Sequence, residues 1–382
     1  MNKSDVFWQT YLNLEREAIE VSKFIFITDE VNKNVNGAVV TENCYTQLDT
    51  FSPHIADLLV RTCVQIEAIS KELYFDNNGD KPRGDNGILF DEDCLRLVDK
   101  LWATHNKSVL VVAPFFNLTK DEHRIMKPLK EAHRRHEYWE KAYQAVKHDR
   151  YSCLYRGNVR AFIQALAALY LLNIYYRNEK WTVRYDEIAK RDYSMGSSLF
   201  AVNPPVSDGL WEGNNEKLCD SPFVVRYQDA VYQNINSIRT KEDEELAKFM
   251  NNQPEWNDPE FLAYIKDVIK RANGGRVMGV WEIAKYRLMK KIPASLPIEK
   301  RKELLLNSEA WNGWVNQHNS HLNPEEINES NIQGEINTAG IRWGMDMMKR
   351  YQRLEWLPIA MNSGMCDIYI PKKNLSEEDT QS

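Results

Sequence analysis

The run from Ala161 to Tyr176 constrains this chain more than any other segment. Across it Ala, Leu and aromatic residues follow one another with only Gln164 and Asn173 as polar interruptions. It is shorter than the roughly 20 apolar residues that a membrane-spanning helix needs. A helix that is apolar nearly all round has no face to offer water, so other elements must sheathe it on every side. The chain must therefore supply several amphipathic partners. At 382 residues it has the length to do so and to bury a core without disulfide or metal staples.

The partners are visible as helical periodicity. Phe7, Tyr11, Leu14, Ile19 and Phe24 mark a long amphipathic helix over 5–27. Ser52-Pro53 gives an N-cap and a first-turn proline. Behind it, Ile55, Leu58, Leu59, Thr62, Cys63, Ile66, Ile69 and Leu73 form an unbroken i, i+3, i+4 stripe. Residues 130–150 carry Trp139, Tyr143 and Val146 on one face, and after the break at Gly157-Asn158 the apolar helix follows. Val109 to Phe116 is the one short strand expected. With 16 Gly and 14 Pro the chain falls well under the roughly 12% of average usage for those two residues, which suits long helices with few tight turns. The reading is a mainly α protein: an up-and-down helical bundle over 1–202, an extension over 203–257, a second, mostly helical domain over 258–371 and a disordered tail over 372–382. In the second domain Asp258-Pro259 starts a helix, further helices are expected at 277–291, 297–306, 308–318 and 339–353, and Trp311, Trp314, Trp343 and Trp356 read as core.

Several function classes are excluded. The six cysteines (Cys44, Cys63, Cys94, Cys153, Cys219, Cys366) form no C-x-x-C pair, so a zinc ribbon is not encoded and no metal or cofactor is expected. Phosphate-loop, dinucleotide-binding, nucleophile-elbow and zinc-protease signatures are missing. Met1 to Asp5 are polar and show no signal-peptide pattern, and the expected setting is the cytoplasm, with no membrane partner.

Charge is unevenly distributed. The formal net charge is −6, yet 120–160 holds eleven Lys/Arg against six Asp/Glu, and five of the eight histidines lie between 105 and 148. Helical spacing sets Trp139, Tyr143 and Val146 on a packing stripe. Lys141, Gln144 and His148 fall on a different face, so a cation, an amide and an imidazole share one surface. Residues 265–303 hold eleven Lys/Arg against four Asp/Glu, with Lys290-Lys291 among them, whereas 304–340 holds five acidic residues and no Lys or Arg. That polarity fits an electrostatic groove for a nucleic-acid backbone, or the basic side of a contact within or between chains.

The run Trp139-Glu-Lys-Ala-Tyr143-Gln-Ala-Val-Lys147-His148-Asp-Arg150, with the Ala/Leu helix ending Leu171-Leu172-Asn173-Ile174-Tyr175-Tyr176, resembles bacterial HEPN-domain proteins. Leu58 to Glu67 with Lys71, and Met195-Gly196-Ser197-Ser198-Leu199-Phe200, fit the same resemblance, which covers about residues 1–202. It implies an α-helical bundle, commonly a homodimer, of toxin–antitoxin and anti-phage systems, in which many members are metal-independent endoribonucleases. The family motif is an Arg, four to six residues, then a His. Here the positions that could hold that Arg before His148 are Lys141, Ala142 and Tyr143. Carried onto this chain, the resemblance makes His148 the proton-transfer group and Lys141, or Arg150 from a dimer partner, the charge stabiliser. Gln144, Lys147, Lys290 and Lys291 are the RNA-binding candidates. Lysine lacks the planar fork with which arginine grips a phosphate. Two functions remain open: an RNA-cleaving defence effector, or a catalytically silent module that binds RNA or a neighbour-encoded protein.

Overall fold

The computed structural model describes residues 2–30, 46–134, 136–207, 220–273, 279–312, 324–349 and 356–372. It is mainly helical, and its chain divides into two compact units, 1–228 with 364–382, and 229–363. The expected tail beyond 372 and Trp314 lie outside the described residues.

In the first unit the longer helices among the described residues are α1 (Lys3–Ser22), α2 (Pro53–Asp76), α3 (Arg96–Trp102), α4 (Tyr138–His148) and α5 (Val159–Arg177). Their starts follow the capping residues. Ser52 Oγ accepts from the Ile55 amide at 3.1 Å, and Asn158 Oδ1 accepts from the Ala161 amide at 3.0 Å. α5 ends at Asn178, which takes the left-handed conformation. As its composition requires, α5 is buried along nearly its whole length, packed by α1, α2 and α4. It is long and apolar enough to cross a membrane by composition, and most of that run is buried inside the unit. The stripe on α2 points inward as its spacing predicts, from Ile55 to Leu73.

Two small sheets complete this unit, where the sequence suggested one strand. β1 (Val109–Val111) is narrower than the expected 109–116, and pairs antiparallel with β2 (Ile125–Met126) and β4 (Phe200–Ala201). The second sheet has the order β3-β7-β6-β5, built from Trp181–Arg184, Met365–Tyr369, Val224–Tyr227 and Val206–Ser207. β7 pairs antiparallel with both β3 and β6, and β5 pairs parallel with β6. This sheet moves the boundaries: Val206–Ser207 and Val224–Tyr227 of the expected extension, and Met365–Tyr369 of the expected second domain, are strands of the first unit. Cys366 and Ile368 on β7 and Ile370 just past its end alternate inward, so burial of one face holds the returning chain there.

A buried carboxylate ties α1 to the loop before β4. Glu15 accepts from the Tyr11 hydroxyl at 3.0 Å, from the Ser198 and Leu199 amides at 3.0 Å each, and from the Ser197 hydroxyl. Met195 and Gly196, both at positive φ, turn the chain so that these donors converge.

The second unit contains α6 (Asp229–Asn251), α7 (Pro259–Arg271), α8 (Gly279–Lys291), α9 (Ile298–Leu306) and α10 (Ile332–Lys349). α6 occupies much of the expected extension, and α10 begins seven residues before its expected start. One core joins Leu288, Leu305, Trp311, Ile332 and Ile336, with Trp343 against it; another joins Phe261, Ile265, Ile283 and Tyr286. α8 and α10 approach closely at Gly340 and Gly344. A Cβ at Gly340 would stand 2.8 Å from Lys285 Cα, and one at Gly344 2.9 Å from Trp281 Cα.

Two outcomes follow. Glu15→Ala takes the acceptor from the Ser198 amide, leaves the Leu199 amide with Ser197 Oγ alone, and lowers stability by about 1–3 kcal/mol, read by chemical denaturation. Gly340→Ala gains about 1 kcal/mol of helix propensity but forces two backbones apart, for a net loss of about 1–2 kcal/mol in the same measurement.

Candidate functional site

α4 divides into two faces. Trp139, Tyr143 and Val146 are buried, as their spacing predicts. The Trp139 indole donates to the Pro128 carbonyl at 2.8 Å, and the Tyr143 hydroxyl donates to Glu67 Oε1 at 3.0 Å. Burial, followed by the Glu67 charge, pushes the Tyr143 phenol well above its ordinary range. These bonds fix the rotation of the helix and so fix which residues face outward.

The outward residues Lys141, Gln144 and His148 line one open cavity of about 460 Å³. Their side chains make no hydrogen bond or ion pair with any described residue. The chain then breaks. Asp149 leaves the helix and its carboxylate accepts from the Ser152 amide at 3.0 Å, capping a single turn over Arg150–Cys153. That bond holds the Asp149 carboxyl below its ordinary range. Gly157 lets the turn settle on α2, since a Cβ there would lie 2.7 Å from Ala56 Cβ.

This path carries Arg156 onto the wall of the same cavity. Its Nε donates to the Tyr155 hydroxyl at 3.2 Å and its guanidinium lies 5.8 Å from the Tyr155 ring centre. The terminal amino groups have no partner among the described residues. Sequence spacing did not single out Arg156, which follows His148 where the motif places an Arg before it. Asp91 and Glu140, both buried, also line the cavity, so its walls carry both signs.

Compared with known proteins, the chain matches no family model, no curated protein and no solved structure. The likeness to HEPN domains therefore rests on the sequence segments alone.

Other expected residues stand elsewhere. Arg150 points to Asp57 on α2 at 3.8 Å and does not line the cavity. The Lys147 ammonium lies 5.2 Å from the Tyr143 ring centre, also outside it. In the second unit, Lys290 is paired with Glu260 at 2.7 Å and Asp258 at 3.4 Å, and Lys291 lies 5.6 Å from the Trp343 ring centre. The acidic partners of this basic segment thus include residues just before it, in addition to any that follow it. Among the described residues no three His, Cys, Asp or Glu side chains are grouped to hold a metal.

A second polar constellation escaped sequence reasoning because its members are far apart in the chain. Asp29, fully buried, accepts from the Thr119 and Lys120 amides at 2.8 Å each and from the Thr119 hydroxyl at 2.9 Å. His123 Nδ1–H donates to its other side at 2.9 Å, and His123 Nε2 faces Arg160 at 3.4 Å. Arg160 in turn reaches Asp49 at 3.4 Å. Burial opposes the charge on Asp29, yet the two amides, His123 and Thr119 together hold its carboxyl well below the usual carboxylate range.

A depressed folded pKa stabilises the protein above the unfolded value, near 4, and that contribution fades as pH falls through the folded one. Asp29→Asn therefore costs about 1–3 kcal/mol at pH 7 and flattens the loss of stability between pH 5 and 2 relative to the parent, measured by denaturation at each pH. Glu72, held at about 2 chiefly by Arg83, supplies an acid-sensitive background common to both proteins.

Proposed function

We propose that the cavity beside α4 binds RNA and cleaves it by attack of the substrate's own 2′-hydroxyl. The observation that carries this reading is the convergence of His148, Lys141, Gln144 and Arg156, all without a committed polar role except Arg156 Nε, on one open cavity. A flexible phosphodiester needs few groups for this reaction. His148 takes the proton from the 2′-hydroxyl as its oxygen bonds to phosphorus. The bond from phosphorus to the 5′-oxygen breaks, and that oxygen takes a proton from the Lys141 ammonium or from water. The products are a 2′,3′-cyclic phosphate and a 5′-hydroxyl. Arg156, with its planar fork of N–H donors, stabilises charge on the non-bridging oxygens, which Lys141 alone cannot grip bidentately. No step calls for a metal-bound water.

The resemblance to HEPN proteins supports the same reading and extends it to anti-phage or toxin–antitoxin defence, acting as a homodimer. In this version Arg156 of the same chain does what the sequence assigned to Arg150 of a partner.

The test is incubation of the purified chain with single-stranded RNA in EDTA. The expected result is cleavage to cyclic-phosphate ends, slowed about 100-fold or more in His148→Ala and comparably in Arg156→Ala, with Arg156→Lys recovering only part. Cleavage that survives His148→Ala, or that requires a divalent metal, overturns the site. Binding of RNA or of a neighbour-encoded protein with no cleavage identifies the silent binding module instead.

A further inference from the structure

Next to the His148 cavity lies a second, open cavity of about 690 Å³, and it has a different chemistry. Phe51, Tyr138 and Tyr155 line it, and they are 48%, 43% and 52% exposed. Three half-exposed aromatic rings around one opening are not spent on the core; aromatic side chains normally bury most of their 150–250 Å². The polar lining is held in place. Asp49 accepts from the Thr46 amide at 3.0 Å and from Arg160, and Asn158 Nδ2 donates to the Tyr138 hydroxyl at 2.8 Å. The segment carrying Phe51 is fixed to the start of α5, where the Val159 amide donates to the Thr50 carbonyl at 3.0 Å. Rings and polar groups are therefore presented by anchored backbone.

One pair of neighbouring residues links the two cavities. Tyr155 lines the aromatic one and Arg156, bonded to the Tyr155 hydroxyl, lines the other. We propose that the aromatic cavity is a subsite for an unpaired nucleobase, which stacks on Tyr155 and Phe51 while the neighbouring phosphate lies against Arg156 and His148. The proposal rests on the RNA reading of the first cavity. It adds that the substrate is single-stranded at this position, because a paired base has no free face to offer the rings. The size lies within the usual 300–1,000 Å³ of small-ligand sites. Stacking tolerates any base, so the subsite selects for strand state before sequence.

The two readings separate in one experiment. The probe is a fully 2′-O-methylated, uncleavable oligoribonucleotide carrying one 2-aminopurine, titrated with the full chain as a single strand and as a duplex. The fluorescence of 2-aminopurine falls when the base stacks. The parent is expected to quench the single strand, and to bind it at least tenfold tighter than the duplex. Tyr155→Ala and Phe51→Ala each weaken binding about tenfold and restore fluorescence, whereas Tyr155→Phe, which keeps the ring and loses only the bond from Arg156 Nε, retains the quenching. Both rings are half exposed, and melting curves confirm that the variants fold. Unchanged quenching in both alanine variants, or equal affinity for duplex, overturns the subsite. If the parent quenches as expected but does not cleave ordinary RNA, the cleavage reading falls and the base subsite stands. If it cleaves but quenching does not respond to either ring, the reverse holds.

Discussion

Burial of α5 on all sides is the constraint to which the first unit answers. A Leu, Ile or Phe side chain gains about 1.5–3 kcal/mol on full burial, and α5 offers such groups around its whole circumference. Three amphipathic helices cover most of it, but helices leave gaps at their ends, where loops with unsatisfied backbone must close the wall. There the structure places charge. Glu15 and Asp29 are both buried, and each gathers two backbone amides, to which Glu15 adds two hydroxyls and Asp29 one hydroxyl and His123. A carboxylate out of water is tolerable only when such donors replace its hydration, so each demands one fixed loop conformation. The segment 119–123, held by Asp29 where it enters a short helical turn, delivers His123 to Arg160, and Arg160 steadies Asp49 at the aromatic cavity. The site is thus linked to the device that seals the core.

Much of this architecture was legible. Ser52-Pro53, Asn158 and Asp258-Pro259 announce helix starts through local hydrogen bonding, and the α2 stripe states its own buried face. α6 did not announce itself because among its described side chains only Ile235 and Glu242 are buried, which leaves no continuous stripe to read. The sheet β3-β7-β6-β5 was hidden for another reason. Its strands are at most five residues long and its partners lie up to 187 positions apart, as in Trp181 opposite Ile368. Pairing of that kind is decided by what else the chain brings together, not by local preference. The alternation of Cys366, Ile368 and Ile370 was present in the sequence, but too short to distinguish a strand from a tail.

The candidate site divides along the same line. Lys141, Gln144 and His148 share a face because helical geometry within α4 puts them there, and that much is arithmetic on spacing. Arg156 is beyond such arithmetic. A continuous helix would carry residue 156 two turns past His148 and away from it. Asp149 ends α4, caps a separate turn, and Gly157 seats that turn against Ala56, so Arg156 reaches the cavity that His148 lines. A motif defined by the number of residues between Arg and His records one way of bringing two groups together. The proposed chemistry asks only that a donor fork and a proton acceptor face the same phosphate, and a broken helix brings Arg156 and His148 to one cavity from the opposite direction in the chain.

Local charge counts need the same treatment. The basic stretches 120–160 and 265–303 look alike in sequence, but they differ in how their cations are used. In the second, Arg287 is bonded to Glu255 at 2.6 Å, Lys290 to Glu260 and Asp258, Lys285 to Glu282 and Lys300 to Glu303. Attraction for a polyanion is reduced wherever a carboxylate already occupies the ammonium or guanidinium. In the first, Arg150 and Arg160 are spent in the same manner, whereas Lys141 and the terminal amino groups of Arg156 face an open cavity without a described partner. Net charge over a window therefore overstates one region and misplaces the other. What favours an anionic ligand at α4 is a small number of uncommitted donors held beside a histidine by buried aromatic contacts, and a surface of that kind cannot be recognised by summing charges along the chain.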